Sequence, residues 1–181
     1  MTWVILALVV ALVLCILGWF ITTRNNFARM LVKIKEAESG IDVALTKRYD
    51  VLTKMLEITK GYAAHEKAVL TETVKLRSGA TLQEKADFNN KMTDALKQIN
   101  VVAEAYPELL SNQTFKELQV SVSDVEEHLQ AARRAYNGNV SAFNQKRVSF
   151  PSSVVADSMN LSEEEFFQAE DYKREDVKME F

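Results

Sequence analysis

The feature that most constrains this chain is an uncharged apolar stretch from Trp3 to Ile21, WVILALVVALVLCILGWFI. It contains no proline, and as a helix that rises about 1.5 Å per residue it would extend about 28 Å, close to the roughly 30 Å hydrocarbon core of a bilayer. Trp3 and Trp19 lie near its two ends, where amphipathic rings favour the headgroup region. The stretch therefore predicts one transmembrane helix.

A cleaved signal peptide is the main alternative to a membrane span. Such a peptide has a basic start and ends in small residues, whereas this stretch ends in Trp19, Phe20 and Ile21. Cys15 does not fit a lipoprotein site because bulky residues precede it. We therefore favour a retained anchor. The lipid bilayer is then the first expected partner.

Basic residues follow the apolar stretch and predict its orientation. Cytoplasmic flanks of membrane spans are enriched in lysine and arginine. The basic residues that follow the span within about 15 residues are Arg24, Arg29, Lys33 and Lys35, and none precedes it. We expect a single-pass protein of the plasma membrane, with its N-terminus outside and the remaining chain in the cytoplasm.

The remaining sequence has the composition of a helical domain. The whole chain has only two prolines and five glycines, which favours long helices with few turns. Its net charge of −3 indicates no binding of nucleic acid, and its single cysteine excludes an intramolecular disulfide. It lacks a glycine-rich phosphate loop and a G-x-S-x-G motif, so no small-molecule substrate is evident.

Apolar periodicity predicts three long helices. The first covers about 27–77, the second runs from a capping box at Thr81 and Glu84 to the break imposed by Pro107, and the third covers about 112–149. A seven-residue repeat marks the third helix at Phe115, Val122, Leu129, Tyr136, Phe143 and Phe150. The predicted fold is all-α: an N-terminal transmembrane helix followed by an elongated, antiparallel, four-helix-bundle-like domain with coiled-coil packing.

The C-terminal part is predicted to be a short helical segment and a tail. Pro151 ends the third helix, and Ser162 with Glu165 forms a second capping-box pattern, from which a brief helix through Phe167 is expected. Residues 162–181 contain eight acidic and three basic residues. The expected parts are an outside terminus (1–2), the span (3–21), a juxtamembrane stalk (22–40), the bundle (41–167) and an acidic flexible tail (168–181).

Candidate catalytic and metal-binding residues are few. His65 lacks a second histidine four positions later, and neither His65 nor His128 has a glutamate three positions earlier, so zinc and di-iron sites are not supported. Glu104 could be a buried acid, but no second carboxylate is spaced to pair with it. The sequence therefore predicts no metal, no cofactor and no enzyme activity.

Several motifs together resemble the bacterial LemA family. They are NNF at 25–27, KRYD at 47–50, KGYAAHE at 60–66, AEAYPEL at 103–109, ARRAYN at 132–137, FN at 143–144 and FPSS at 150–153. The resemblance implies a single-span membrane protein with an antiparallel helical bundle, and it implies no reaction. The family-motif positions, of unknown role, are Arg48, Tyr62, His65, Glu66, Glu104, Tyr106, Pro107, Arg133, Tyr136, Asn137, Phe150 and Pro151.

Three functions remain open from the sequence. We favour a non-enzymatic scaffold or interaction module that binds a protein partner or self-associates through its helical surfaces. The alternative is a membrane-coupled sensor or signalling adaptor, in which a hinge at Ser39 and Gly40 transmits a state of the membrane. Gly40 could equally be tolerated for close packing. The third is an enzyme that uses His65, Glu66 and Glu104.

Overall fold

A computed structural model describes residues 1–62 and 80–168, and this part of the chain contains helices and no strand. The helices are α1 (Thr2–Tyr62), α2 (Leu82–Ala105), α3 (Pro107–Ser111), α4 (Gln113–Val148) and α5 (Ser152–Ser158). The predicted fold class, an N-terminal apolar helix followed by a helical bundle, is confirmed. Residues 63–77, which were expected to continue the first helix, lie outside the described residues.

Most of the helix ends follow from the predicted signals. At the start of α2, the Thr81 hydroxyl accepts from the Glu84 amide at 3.2 Å, and the Glu84 carboxylate accepts from the Thr81 amide at 2.7 Å. Pro107 ends α2 and is the first residue of α3. Asn112 caps α4, because its Oδ1 accepts from the Phe115 amide at 3.1 Å.

The expected helix from Ser162 to Phe167 is wrong, because residues 161–168 are not helical. The amide of Glu164, which would begin such a helix, instead donates to Asn144 Oδ1 at 3.0 Å. The carbonyl of Glu164 accepts from Asn144 Nδ2 at 2.8 Å. A side chain of α4 thus satisfies the backbone groups that a new helix would have used. The short apolar piece before it, by contrast, forms α5.

The chain divides into two compact units. The first comprises Met1–Ala37 and Ala135–Phe166, and within it α1 and α4 run antiparallel. The rings of Phe27 and Phe143 meet edge to face with centroids 5.9 Å apart, and Asn139 Nδ2 donates to the carbonyl of Lys33 at 3.2 Å. Phe27 is fully buried, so the segment expected to be a stalk packs against α4.

The second unit comprises Glu38–Arg134 and Phe167–Phe181. In its described part, α1 and α2 run in the same direction, because Lys85 pairs with Asp42 and, further along both helices, Arg48 binds Asn89. The antiparallel packing expected for neighbouring helices is therefore not seen for α1 and α2. The connection between them lies outside the described residues.

Heptad positions form the buried faces, as the sequence predicts. Five of the six predicted α4 positions are buried: Phe115, Val122, Leu129, Tyr136 and Phe143. Phe150, the sixth, lies beyond the end of α4 and is 85% exposed. Coiled-coil packing of these faces stays a prediction.

The backbone of α1 is helical without interruption through Ser39 and Gly40. A Cβ built on Gly40 would meet only Ala132 Cβ, at 3.9 Å, which is an ordinary contact. Gly40 is therefore accommodated in a regular helix that packs near α4. The hinge stays a prediction.

Candidate functional site

Arg48 is the most unusual residue of the helical core. It lies on α1 seven residues after Ile41 and seven before Met55, both of which are fully buried. At this heptad position a cation is only 3% exposed. A buried charge is costly unless it is paired and hydrogen-bonded, so the surrounding helices must supply acceptors.

Three side chains and one carbonyl surround the Arg48 guanidinium. Its Nη1 donates to the carbonyl of Asn89 at 3.0 Å and to Asn89 Oδ1. Its Nη2 donates to Thr93 Oγ1 at 3.0 Å and forms an ion pair with Glu126 Oε1 at 2.5 Å. Arg48 thereby links α1 to α2 and to α4 in a single network.

Lys85 forms a second buried ionic cluster in the same unit. It lies in the first turn of α2, seven residues before buried Met92, and is 3% exposed. Its Nζ is 2.7 Å from Glu38 Oε1 and 2.7 Å from Asp42 Oδ1. The two carboxylates are four residues apart and therefore lie on one face of α1.

The pKa of Lys85 is raised above its usual value near 10.5. Burial alone would lower the pKa, because it disfavours the charged ammonium. The hydrogen bonds and charges of Asp42 and Glu38 outweigh this effect. Lys85 is thus held in its charged form, which suits a structural cation and is opposite to what a lysine nucleophile or base requires.

A cluster of hydrogen bonds between side chains of α4 and backbone groups attaches the chain after α5 to α4. Tyr136, which is buried, donates its hydroxyl to the carbonyl of Glu165 at 3.0 Å. Asn144 makes two hydrogen bonds with the backbone of Glu164, and Arg147 Nε donates to the carbonyl of Leu161 at 3.0 Å. The family-motif residue Tyr136 therefore positions a non-helical segment.

The other family-motif positions do not converge on one site. Glu104 is exposed, so the expectation of a buried acid is wrong. Its place at the end of α2 puts the carboxylate in water.

The remaining motif positions lie apart from one another. Tyr106 and Pro107 form the junction between α2 and α3. Arg133 lies over the ring of Phe167, 4.9 Å from its centroid. Asn137 is partly buried, Phe150 and Pro151 lie in the turn after α4, and Tyr62 ends α1. His65 and Glu66 lie outside the described residues.

An open depression of about 630 Å³ lies on the surface of α4. Its lining includes Asp124, Glu127, His128 and Arg134, all four of which are exposed. Across residues 1–62 and 80–168, no group of three or more histidine, cysteine or carboxylate side chains is placed to hold a metal ion. The described side chains thus offer charged surface chemistry and no assembled catalytic centre.

The apolar N-terminal part of α1 has no protein around it. Side chains from Met1 to Trp19 are exposed, including Trp3, Leu8 and Leu17. Within the described ranges, α1 is the one helix long and apolar enough to cross a membrane. This arrangement is consistent with a membrane protein.

Sequence reasoning missed Lys85, Asn89 and Asn144. Lys85 precedes Met92 and Ile99 by one and two heptads, so a cation at a core position was the available signal. Asn89 and Asn144 gave no comparable signal, because their roles depend on which segment lies opposite them. Arg48 was singled out without a role, although its heptad position was equally visible.

Comparison with known proteins identifies the family of this chain. The model of the LemA family matches residues 37–181. Protein LemA of Metamycoplasma hominis is 26% identical over 163 residues, which cover 87% of this chain and 74% of that protein. Magnetosome proteins MamQ 1 and MamQ 2 of Paramagnetospirillum magneticum are each 22% identical over 195 aligned positions, covering 90% of this chain and 72% of theirs. Because the family model matches most of its length, the chain belongs to the LemA family.

Proposed function

We propose that this protein is a single-pass membrane protein that presents its helical bundle at the cytoplasmic face of the plasma membrane as a non-enzymatic scaffold. The observation that carries the proposal is the continuity of α1. α1 is one uninterrupted helix of 61 residues. Its first part is apolar and exposed, and its later part contributes buried side chains to the core. A bilayer would cover the first part, and α4 covers the part that begins near Phe27.

The charge distribution supports the proposed orientation. The basic residues after the apolar segment, among them Arg24 and Arg29, are exposed on α1. Cytoplasmic flanks are enriched in such residues. We therefore place the bundle in the cytoplasm and Met1 outside.

The chemistry of the core supports a scaffold more than an enzyme. The two buried cations, Arg48 and Lys85, each face carboxylates within the bundle, and these contacts join neighbouring helices. Catalytic groups instead need pKa values tuned for proton transfer and access to a substrate. Neither the name LemA nor the name MamQ specifies a reaction, which agrees with a non-enzymatic role.

Cysteine labelling in intact bacterial cells tests the topology. In a Cys15→Ala background, the variants Thr2→Cys and Asp50→Cys place one thiol before and one after the apolar segment. A membrane-impermeant maleimide should label Thr2→Cys in intact cells and label Asp50→Cys only after lysis. Labelling of Asp50→Cys in intact cells would overturn the orientation.

Purification of the full-length protein in mild detergent tests the scaffold role. Mass and co-purifying proteins are determined together, and the expected result is a reproducible complex with itself or with a second protein. The control fuses residues 1–22 to an unrelated soluble domain, which reveals association through the anchor alone. A monomer that brings no protein beyond those of the control would contradict the scaffold.

A further inference from the structure

An exposed apolar turn lies in the same compact unit as the apolar helix. We define the α4–α5 turn as residues 148–154. It carries Val148, Phe150 and Val154, which are 67%, 85% and 56% exposed. Single exposed apolar residues are common, but three within seven positions form a patch that calls for an explanation.

Contacts within this unit place the turn beside the start of the packed part of α1. As α4 proceeds from Asn139 to Lys146, its partners on α1 change from Lys33 to Phe27. The end of α4 therefore points toward the apolar segment of α1. Thr23 is already buried, although Thr22 and Arg24 are exposed, so protein packing reaches within two residues of Ile21.

The rise per residue of a helix gives the distance of the α4–α5 turn from the end of the apolar segment at Ile21. Phe27 lies six residues after Ile21, or about 9 Å along α1. Its ring contacts both Phe143 and Lys146, so Val148 lies two to five residues, or about 3–7 Å, beyond this level toward the anchor. The turn therefore begins about 2–6 Å from the level of Ile21. If the hydrocarbon core ends near Ile21, this distance falls inside the headgroup layer, which is about 5–7 Å thick on each side.

From this register we propose that the α4–α5 turn inserts into the headgroup layer beside the transmembrane helix, with Phe150 as its main contact with lipid. The inference rests on the proposed membrane span. It adds a second attachment, so that one unit of the bundle is held against the bilayer at two points. An aromatic side chain at this depth is favoured, as it is at the ends of membrane spans.

Several backbone groups of the turn already make hydrogen bonds within the protein, which lowers the cost of moving the turn into a less polar environment. The single hydroxyl hydrogen of Ser152 is shared between the carbonyls of Lys146 and Ser149, whose oxygens lie 2.7 and 2.8 Å from Oγ. The Ser153 amide donates to the carbonyl of Ser149 at 2.8 Å, and the Val154 amide donates to the carbonyl of Pro151 at 3.2 Å. Polar backbone groups that are already bonded cost less to bring toward lipid.

The charges near the turn also suit a bilayer with anionic lipids. Lys146 and Arg147 are partly exposed and directly precede the turn, and Arg24 is exposed on α1. Such cations are attracted to the negative surface of a bilayer that contains anionic lipids. The acidic residues Glu163–Glu165 belong to a segment that leads away from the turn, since Glu164 binds Asn144 and Glu165 binds Tyr136. Asp157, at the end of α5, is the exception.

Depth-dependent fluorescence quenching tests the insertion. The full-length protein carries Cys15→Ala, and a polarity-sensitive dye is attached to Phe150→Cys, to Val32→Cys or to Leu12→Cys, in vesicles of phosphatidylcholine and phosphatidylglycerol. Val32 is the matched control, because it is an apolar residue of the same unit, is 64% exposed and lies about 16 Å beyond Ile21 along α1. Bromine atoms at defined positions on the lipid act as quenchers, and iodide reports access from water.

The expected pattern separates this inference from the membrane span itself. A dye at Leu12 should lose fluorescence with bromine deep in the acyl chains, a dye at Phe150 with bromine near the headgroup, and a dye at Val32 with iodide alone. Quenching at Leu12 with none by lipid at Phe150 would overturn the insertion and leave the span intact. If iodide also failed to quench at Phe150, another protein surface would cover it. Loss of lipid quenching at Leu12 would overturn the span, and the insertion with it.

Discussion

The two compact units take residues from the same two long helices, α1 and α4, and yet bury different chemistry. The first unit packs rings of Phe27 and Phe143 and attaches residues 161–165 through hydrogen bonds from side chains of α4 to backbone groups. The second unit buries the cations Arg48 and Lys85 and pairs them with partly exposed carboxylates. A heptad pattern therefore does not determine core chemistry, because a cation is tolerated wherever neighbouring helices supply acceptors.

We expect the ionic core of the second unit to contribute to specificity more than to net stability. Buried ion pairs contribute little net stability, but they disfavour alternatives in which a charge loses its partner. In the second unit, Arg48 and Lys85 bind partners on facing turns of α1 and α2, so a shift in register would separate them from these partners. Aromatic packing in the first unit has no such requirement, because apolar contacts are less directional.

The largest expected effect comes from Arg48→Ala. The substitution leaves Asn89 and Glu126 without their buried cation and opens space between α1 and α2, so we expect a loss of about 3–5 kcal/mol in the free energy of unfolding. Denaturant unfolding of the full-length protein in mild detergent measures it. Lys47→Ala, which changes the exposed neighbouring residue, is the control. Equal stability of the two variants would show that the second unit does not depend on its ionic core.

Lys85→Met should cost less, about 1–3 kcal/mol, because methionine fills much of the space of lysine and the carboxylates that remain are partly exposed to water. Arg48→Ala, by contrast, also leaves the buried Asn89 without its donor. The variant also tests the pH dependence. Since the folded-state pKa of Lys85 is raised, its contribution is complete below the unfolded value near 10.5 and is lost as pH rises through the folded value.

The measurement for Lys85 is unfolding as a function of pH from 8 upward. The natural protein should lose more stability at alkaline pH than Lys85→Met, because the variant lacks this titrating group. Arg48 should show no such dependence, since arginine stays charged throughout this range. Parallel curves for the natural protein and the variant would show that Lys85 has no linked titration.

Asn144→Ala tests the hydrogen bonds that attach residues 161–165 to α4 in the first unit. It removes two hydrogen bonds to the backbone of Glu164, each contributing about 0.5–1.5 kcal/mol, so a loss of about 1–3 kcal/mol is expected. Faster hydrogen exchange at residues 161–165 reports the release of this segment. Asn144→Asp keeps the acceptor and loses the donor, and we expect it to be intermediate. Unchanged exchange in both variants would assign the attachment to Tyr136 and Arg147.

These regions also show how far sequence reasoning reached. The fold class, the capping box at Thr81, the break at Pro107 and the buried heptad positions of α4 were predictable, because each depends on residues close in sequence. The direction of α2 and the failure of the capping pattern at Ser162 were not, because they depend on contacts of α1 with α2 and of Asn144 with Glu164. The ionic core was predictable only in part. The heptad positions of Arg48 and Lys85 follow from the sequence, but the side chains that accept their hydrogen bonds do not.

The smallest expected effect concerns the helix of α1 at the start of the second unit. Gly40→Ala should raise the free energy of unfolding by about 0.4–1 kcal/mol, because the helix is regular there and the new methyl group meets only Ala132 Cβ at an ordinary distance. Gly138→Ala, on α4, is the matched control, since a Cβ built there meets nothing within 4 Å. If Gly40 is only a packing residue, both variants should be more stable in thermal unfolding and should keep the complexes of the natural protein. If it is a hinge, Gly40→Ala alone should change those complexes while its abundance stays normal. A loss of stability in Gly40→Ala with a gain in Gly138→Ala would instead mean that α1 and α4 approach too closely at Gly40 to admit a methyl group.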